Sequence, residues 1–292
     1  MHPYARIVDG SFGRAWIAAM PATVARQRRM LTGLLDVVEA EPAYRWFELG
    51  CSLARGAGDD LSDVDCAVGV DEQRWDDARA LGRRAADSLG PVADRMQQTF
   101  TGRGPEPCWH QFTLYQDGSQ LSLVLMPASW RPGLPPGSVA LYDPDGRLAR
   151  PWLPDSASAD ADTVREWAAL GWIALGDLAK YLDRGSLWEA RQRLEEARAQ
   201  LWRLWAVGQG LRYPQYGLTG LLDEPAPRLP PGVERSVAAL DPAELRGAAS
   251  ATAGLLQVAI VAAGRVIAFD PPDGLRRWVL GRLTLVAEGP HG

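Results

Sequence analysis

Lysine is almost missing from this chain. Of its 31 basic residues only Lys180 is lysine, and the rest are arginine. A GC-rich coding sequence gives that bias without selection on the protein, so the lysine that remains stands out. Cysteine is scarce too: Cys51, Cys66 and Cys108 are odd in number and lack C-x-x-C spacing. Neither a disulfide framework nor a zinc site is indicated. There is no excess of positive charge. Acidic side chains number 36 and the formal net charge is -5, so no general basic coat is present for DNA or RNA. No run approaches the roughly 18 consecutive apolar residues expected of a membrane span. The opening Met1-His2-Pro3-Tyr4-Ala5-Arg6 is not followed by an apolar signal core, so a cytoplasmic protein is expected, with no membrane partner. Histidine is rare, and His110 is the one histidine away from the chain ends.

What remains is an ordinary globular composition, 47% hydrophobic and 23% charged over 292 residues, which fits one large domain or two smaller ones. Apolar spacing predicts a helix over 14–41, ended by Pro42. Tyr44–Leu49 reads as a strand, followed by a glycine-bearing loop from Gly50 to Ser62 and a second strand, Asp63–Val70. A helix is expected over 72–89. The runs 111–116 and 120–126 flank Asp117-Gly118-Ser119, a hairpin signal, and Pro127 ends the second run. The proline-rich stretch 131–160 reads as a linker with little regular structure. Beyond it, 162–183, 186–209 and 242–269 are helical in period, with Pro225–Pro231 as another linker. Arg191, Glu195 and Arg198 suggest a solvated face, and Leu194, Leu201, Leu204 and Trp205 a packed one. The expected organisation is an α/β (α+β) domain with a mixed sheet over 1–130, a linker over 131–160, and an all-α bundle over 161–292.

Chemistry concentrates between Leu49 and Asp65. Asp63 and Asp65 are two apart on an expected strand, so both carboxylates take one face. Side by side they repel unless a cation lies between them. Hard oxygen ligands of this kind suit Mg²⁺, which shares itself with waters and substrate phosphates. Upstream, Gly50 opens a small polar loop whose backbone N–H groups and Ser52 hydroxyl suit a phosphate. Arg55 adds a charge-assisted contact.

Cys51-Ser52-Leu53-Ala54-Arg55-Gly56 followed by Ser62-Asp63-Val64-Asp65 resembles the signature of the polymerase-β-type nucleotidyltransferases. The nearest flavour is that of the aminoglycoside (antibiotic) nucleotidyltransferases, whose loop often reads G-S-L-A-R-G. One departure is Cys51, where the family usually has glycine, and its side chain is expected to tighten the loop. The order of elements over 14–128 and the helical second half also fit. The resemblance implies transfer of a nucleoside monophosphate, AMP from Mg-ATP being the leading choice. The acceptor would be a hydroxyl of a small molecule such as an aminoglycoside-like antibiotic. It implies Asp63 and Asp65 as catalytic metal ligands for Mg²⁺, and Gly50, Ser52, Arg55 and Lys180 as nucleotide-binding residues. Lys180 lies in a segment similar to the one where a family lysine faces the triphosphate.

A second departure concerns a third acid, which the family carries on a later strand. Here the matching place is Leu121-Ser122-Leu123. Alternation puts Leu121, Leu123 and Leu125 on the core face and Ser122 on the other, beside the two aspartates. Asp177, three residues before Lys180 on one helix face, is the candidate base for the acceptor hydroxyl, with a surface ion pair as its plainer reading. His110 reads as a hydrogen-bonded structural residue. The missing carboxylate motivates an alternative, a catalytically impaired nucleotide- or ligand-binding protein on the same fold.

Overall fold

The computed structural model describes residues 10–101, 107–131, 133–152, 159–224 and 226–287. The signal-free start read at Met1–Arg6 lies outside them. The chain divides into two compact units, Met1–Leu153 and Pro154–Gly292.

In the first unit, helices α1 (Gly10–Ala19) and α2 (Ala25–Ala40) are joined by a 3₁₀ turn, Ala22–Val24. The single helix expected over 14–41 is therefore two. Pro21 causes the break, since it has no N–H to donate and its ring clashes with the preceding turn. On α2, Leu31, Leu34, Leu35 and Val38 recur at helical spacing and are all buried. Strand β1 (Tyr44–Leu49) leads into a one-turn helix, α3 (Cys51–Ala54), then β2 (Val64–Val70) and α4 (Trp75–Ser88). Strands β3 (Val92–Thr101), β4 (Pro107–Tyr115), β5 (Gln120–Pro127) and β6 (Val139–Tyr142) follow.

These six strands form one sheet in the order β3-β4-β5-β2-β1-β6. Only β2 and β5 pair in parallel, so the sheet is mixed, as expected. Two strands were not legible in the sequence. In β3, Met96, Gln97, Gln98 and Phe100 are exposed. It is an edge strand held by backbone pairing with β4, so it lacks an alternating apolar signal. Strand β6 corrects the linker reading of 131–160. Val139-Ala140-Leu141 is buried and pairs antiparallel with β1. The prolines around it mark turns on either side of a short edge strand, a position proline tolerates.

The sheet has two different faces. Leu121, Leu123 and Leu125 of β5, with Val64, Cys66 and Val68 of β2, join Leu31, Leu35, Ala78 and Ala86 in one core under the helices. On the opposite face Trp46, Ala67, Ala128, Ala140 and Leu148 form a small second cluster. Trp46 lies across from Gly69 in register, and a Cβ there would sit 2.1 Å from its ring. Glycine at 69 therefore makes room for Trp46, whose Nε1 donates to Ala128 O at 3.1 Å.

The second unit is helical: α5 (Ala161–Asp183), α6 (Leu187–Gly208), α7 (Leu218–Leu222), α8 (Pro242–Val266) and α9 (Asp273–Ala287). Asp160 caps α5 by accepting from Thr163 N at 2.8 Å. Asp241 caps α8 by accepting from Ala243 N and Glu244 N, ahead of Pro242. Trp172, Leu175, Leu194, Leu201, Leu204, Leu256 and Ile260 lie in one core. Arg198 donates to Glu195 at 2.6 Å and to Ser236 Oγ at 3.1 Å, and Arg191 donates to Ala238 O, so the face expected to be solvated is half-buried against residues 233–238. One expectation needs correcting. Helix α8 is, by length and composition, apolar enough to cross a membrane. Its Leu245, Ala249, Leu256, Ile260 and Ala263 face the unit's core, whereas Val258 and Val261 are exposed.

Candidate functional site

The loop after β1 starts pinned to β2, one step beyond the Leu49–Cys66 pair of the ladder. Gly50 N donates to Asp65 O at 2.8 Å, and Gly50 O accepts from Ala54 N as α3 begins. Ser52 and Leu53 thus occupy the opening turn, where N–H groups have no acceptor within the helix. Leu53 is buried in the helix-side core and anchors the turn, while Ser52 is half-buried. Cys51 has φ 56°. The turn needs a left-handed residue, which L side chains adopt at a cost of about 1–2 kcal/mol. At this position the cysteine adds backbone strain, where the sequence suggested a tighter loop. Arg55 follows on the exposed side, its stem packed near Gly137.

The rest of the loop is held by a residue the sequence reading passed over. Gln27, on α2 and 1% exposed, sends Nε2 to the carbonyl oxygens of Asp59, Asp60 and Ser62, at 3.3, 3.2 and 2.9 Å. Asp59 and Ser62 close the turn between them, Ser62 Oγ donating to Asp59 Oδ1 at 3.0 Å. The available signal was position 27 itself, a polar residue on the apolar stripe that continues at 31, 34 and 38.

Asp63 stands one residue before β2, and Asp65 lies on it. Burial, and then the charge of Asp65, raise the Asp63 carboxyl above its usual range. The two carboxylates therefore repel each other, and a bound cation would relieve that repulsion. Among the described residues no group of three or more His, Cys, Asp or Glu side chains gathers to hold a metal. Two carboxylates fit an ion that takes its remaining ligands from water and phosphate, which is the habit of Mg²⁺.

Strand register brings Ser122 directly opposite Asp65. Neighbouring core residues Val64, Cys66, Leu121 and Leu123 all point under the helices, so Asp65 and Ser122 share the other face. Ser122 Oγ lies 3.1 Å from His110 Nε2, and His110 Nδ1 lies 3.1 Å from Gln98 Nε2. Burial lowers the His110 pKa, opposed by the charge of Asp65. The same face also holds Glu48 on β1, 4% exposed. Arg131 grips it with two hydrogen bonds, Nε to Oε2 at 3.0 Å and Nη2 to Oε1. The sequence reading did not foresee either Glu48 or Gln98.

Within the second unit, Asp177 and Lys180 stand together on α5. Lys180 Nζ donates to Asp177 Oδ1 at 2.5 Å and lies 4.8 Å from the centre of the Tyr181 ring. Arg193 on α6 approaches the same carboxylate at 3.9 Å. Gly50, Ser52, Arg55, Asp63 and Asp65 are thus gathered in the first unit, and Asp177 with Lys180 in the second.

No protein-family model matches the chain, and no curated protein matches it. Among solved structures, the chain is similar to an aminoglycoside 6-adenyltransferase from Bacillus subtilis. Identity is 15% and the TM-score 0.39, covering 88% of this chain and 98% of that one. At that distance, the local geometry of the loop and strand has to carry the functional reading.

Proposed function

We propose that this protein is a nucleotidyltransferase that moves a nucleoside monophosphate, AMP from Mg-ATP being the leading choice, onto a hydroxyl of a small acceptor. The observation that carries the reading is the Gly50 N–H to Asp65 O bond. It ties the start of the Ser52 turn to the strand that carries Asp65 and follows Asp63. Asp63 and Asp65 would hold Mg²⁺, which when bound neutralises phosphate charge. Ser52, the turn's N–H groups and Arg55 would hold the phosphates. In-line attack gains most from such positioning and charge neutralisation. In this reading the helical part, taken as 161–292, supplies Asp177 as base and Lys180 as a triphosphate contact. For the lysine to serve, its bond to Asp177 has to give way to phosphate. An aminoglycoside-like polycation suits an acidic chain of net charge -5. A role in antibiotic resistance and a cytoplasmic location go with that acceptor.

The test is release of pyrophosphate from ATP and Mg²⁺ with a panel of hydroxylated aminoglycosides. Release that depends on both acceptor and Asp65 supports the reading. A second reading, a nucleotide sensor without turnover, is favoured by Ser122 standing opposite Asp65 where an acid is expected. Metal-dependent ATP binding without pyrophosphate release would select it.

A further inference from the structure

We propose that Gln98, His110 and Ser122 form a hydrogen-bond relay that presents the Ser122 hydroxyl as a donor to a phosphate oxygen of the nucleotide held at Asp63 and Asp65. This rests on the nucleotide-binding reading above and assigns the face of β5 within it. The relay crosses three adjacent strands. Gln98 on β3 is in register with His110 on β4, and His110 lies two residues along from Phe112, the register partner of Ser122 on β5, and so on the same face. In this arrangement the Gln98 amide nitrogen donates to His110 Nδ1, so the proton of the neutral ring is on Nε2. Nε2–H then donates to Ser122 Oγ. An oxygen that accepts from the ring directs its own hydrogen elsewhere. Burial favours the neutral ring, which keeps this direction of donation.

The hydroxyl faces the place where anionic oxygen is expected. Asp65 is the register partner of Ser122, and neighbouring strands lie about 4.8 Å apart. A cation held by Asp65 keeps phosphate oxygens in its own shell, within reach of a group on the next strand. A carboxylate at 122 would repel those oxygens, and a donor binds them. Glu48, a buried acid on this face, is already neutralised by Arg131. Ser122 is in this view a binding group, and His110 with Gln98 are positioning residues that act through it.

The experiment is calorimetric titration with a non-hydrolysable ATP analogue, and separately with adenosine, at saturating Mg²⁺. Ser122→Ala is expected to bind the analogue about ten-fold more weakly, the scale of one hydrogen bond to a charged group, with adenosine unchanged. His110→Phe should match it. His110→Gln should recover most of the loss, because an amide nitrogen can donate to Ser122 where the ring did. Ser122→Ala with wild-type affinity for the analogue overturns the relay. So does equal weakening for adenosine, or failure of His110→Gln to improve on His110→Phe. If His110→Phe does not fold, Ser122→Ala decides alone. Asp63→Asn and Asp65→Asn run in parallel. Loss of analogue binding there, with none in Ser122→Ala, rejects the relay and keeps the site. Full binding in both aspartate variants rejects the nucleotide reading itself.

Discussion

The two units of this chain solve different problems with similar composition. The helical unit buries large residues along its helices, with Trp172, Leu175, Leu201 and Leu256 in one core. Its polar groups mostly pair locally, as Lys180 does with Asp177 and Arg193 with Glu196 at 2.5 Å. The sheet unit keeps one face for its main core and carries acids, a histidine and a serine beside a smaller apolar cluster on the other. Its polar contacts span long sequence distances: Gln27 reaches Ser62, and Arg131 reaches Glu48. Local pairs stabilise an element, whereas long-range polar contacts fix the position of one element against another. That second kind of order is what a site requires.

The largest expected effect separates the units by function. Asp63→Asn combined with Asp65→Asn should weaken Mg-ATP binding by about a thousand-fold or more, ~4 kcal/mol by titration. The helical content seen by circular dichroism should not change. Core truncations come next and sharpen the contrast in stability. Leu35→Ala in the sheet unit and Leu204→Ala in the helical unit, both 0% exposed, should each cost about 2–5 kcal/mol in denaturant unfolding. If the cores are independent, fluorescence should show two transitions, and each variant should shift only its own. One shared transition that moves equally for both would break the comparison.

Gln27→Leu tests long-range polar order. It leaves three loop carbonyls without their donor and should cost about 1–3 kcal/mol, with Mg²⁺ affinity falling as the Asp59–Ser62 turn loosens. Unchanged affinity would show that Asp63 does not depend on that turn. Lys180→Ala is the counterpart in the helical unit. It should weaken ATP several-fold and AMP hardly at all, since only the outer phosphates lose a partner. Equal losses, or none, would leave the Asp177–Lys180 bond as a local pair worth about 0–1 kcal/mol. The smallest effect should be a gain. Cys51→Gly relieves a left-handed residue and should raise stability by about 0.5–1 kcal/mol in thermal unfolding, after the entropy that glycine loses on folding.

Much of this protein was legible because its signals are local. The 3.6-residue period of α5, α6 and α8 comes from neighbours along the chain. So do the alternation of Leu121, Leu123 and Leu125 and the turn chemistry of Asp117-Gly118. The aspartate pair and the small-residue loop before it are also contiguous, so the candidate site announced itself in one stretch of sequence. Tertiary structure decided what depends on pairing at a distance. Strand β3 exists because β4 offers it a partner, and β6 because β1 has an open edge, though neither carries a strong pattern of its own. Whether Ser122 is a gap or a group with a role could not be read from Leu121-Ser122-Leu123. Register sets it opposite Asp65, and His110 and Gln98 reach it from strands further along the sheet. A hydrogen bond between side chains far apart in sequence leaves no periodicity behind. Only the fold brings its two ends to about 3 Å.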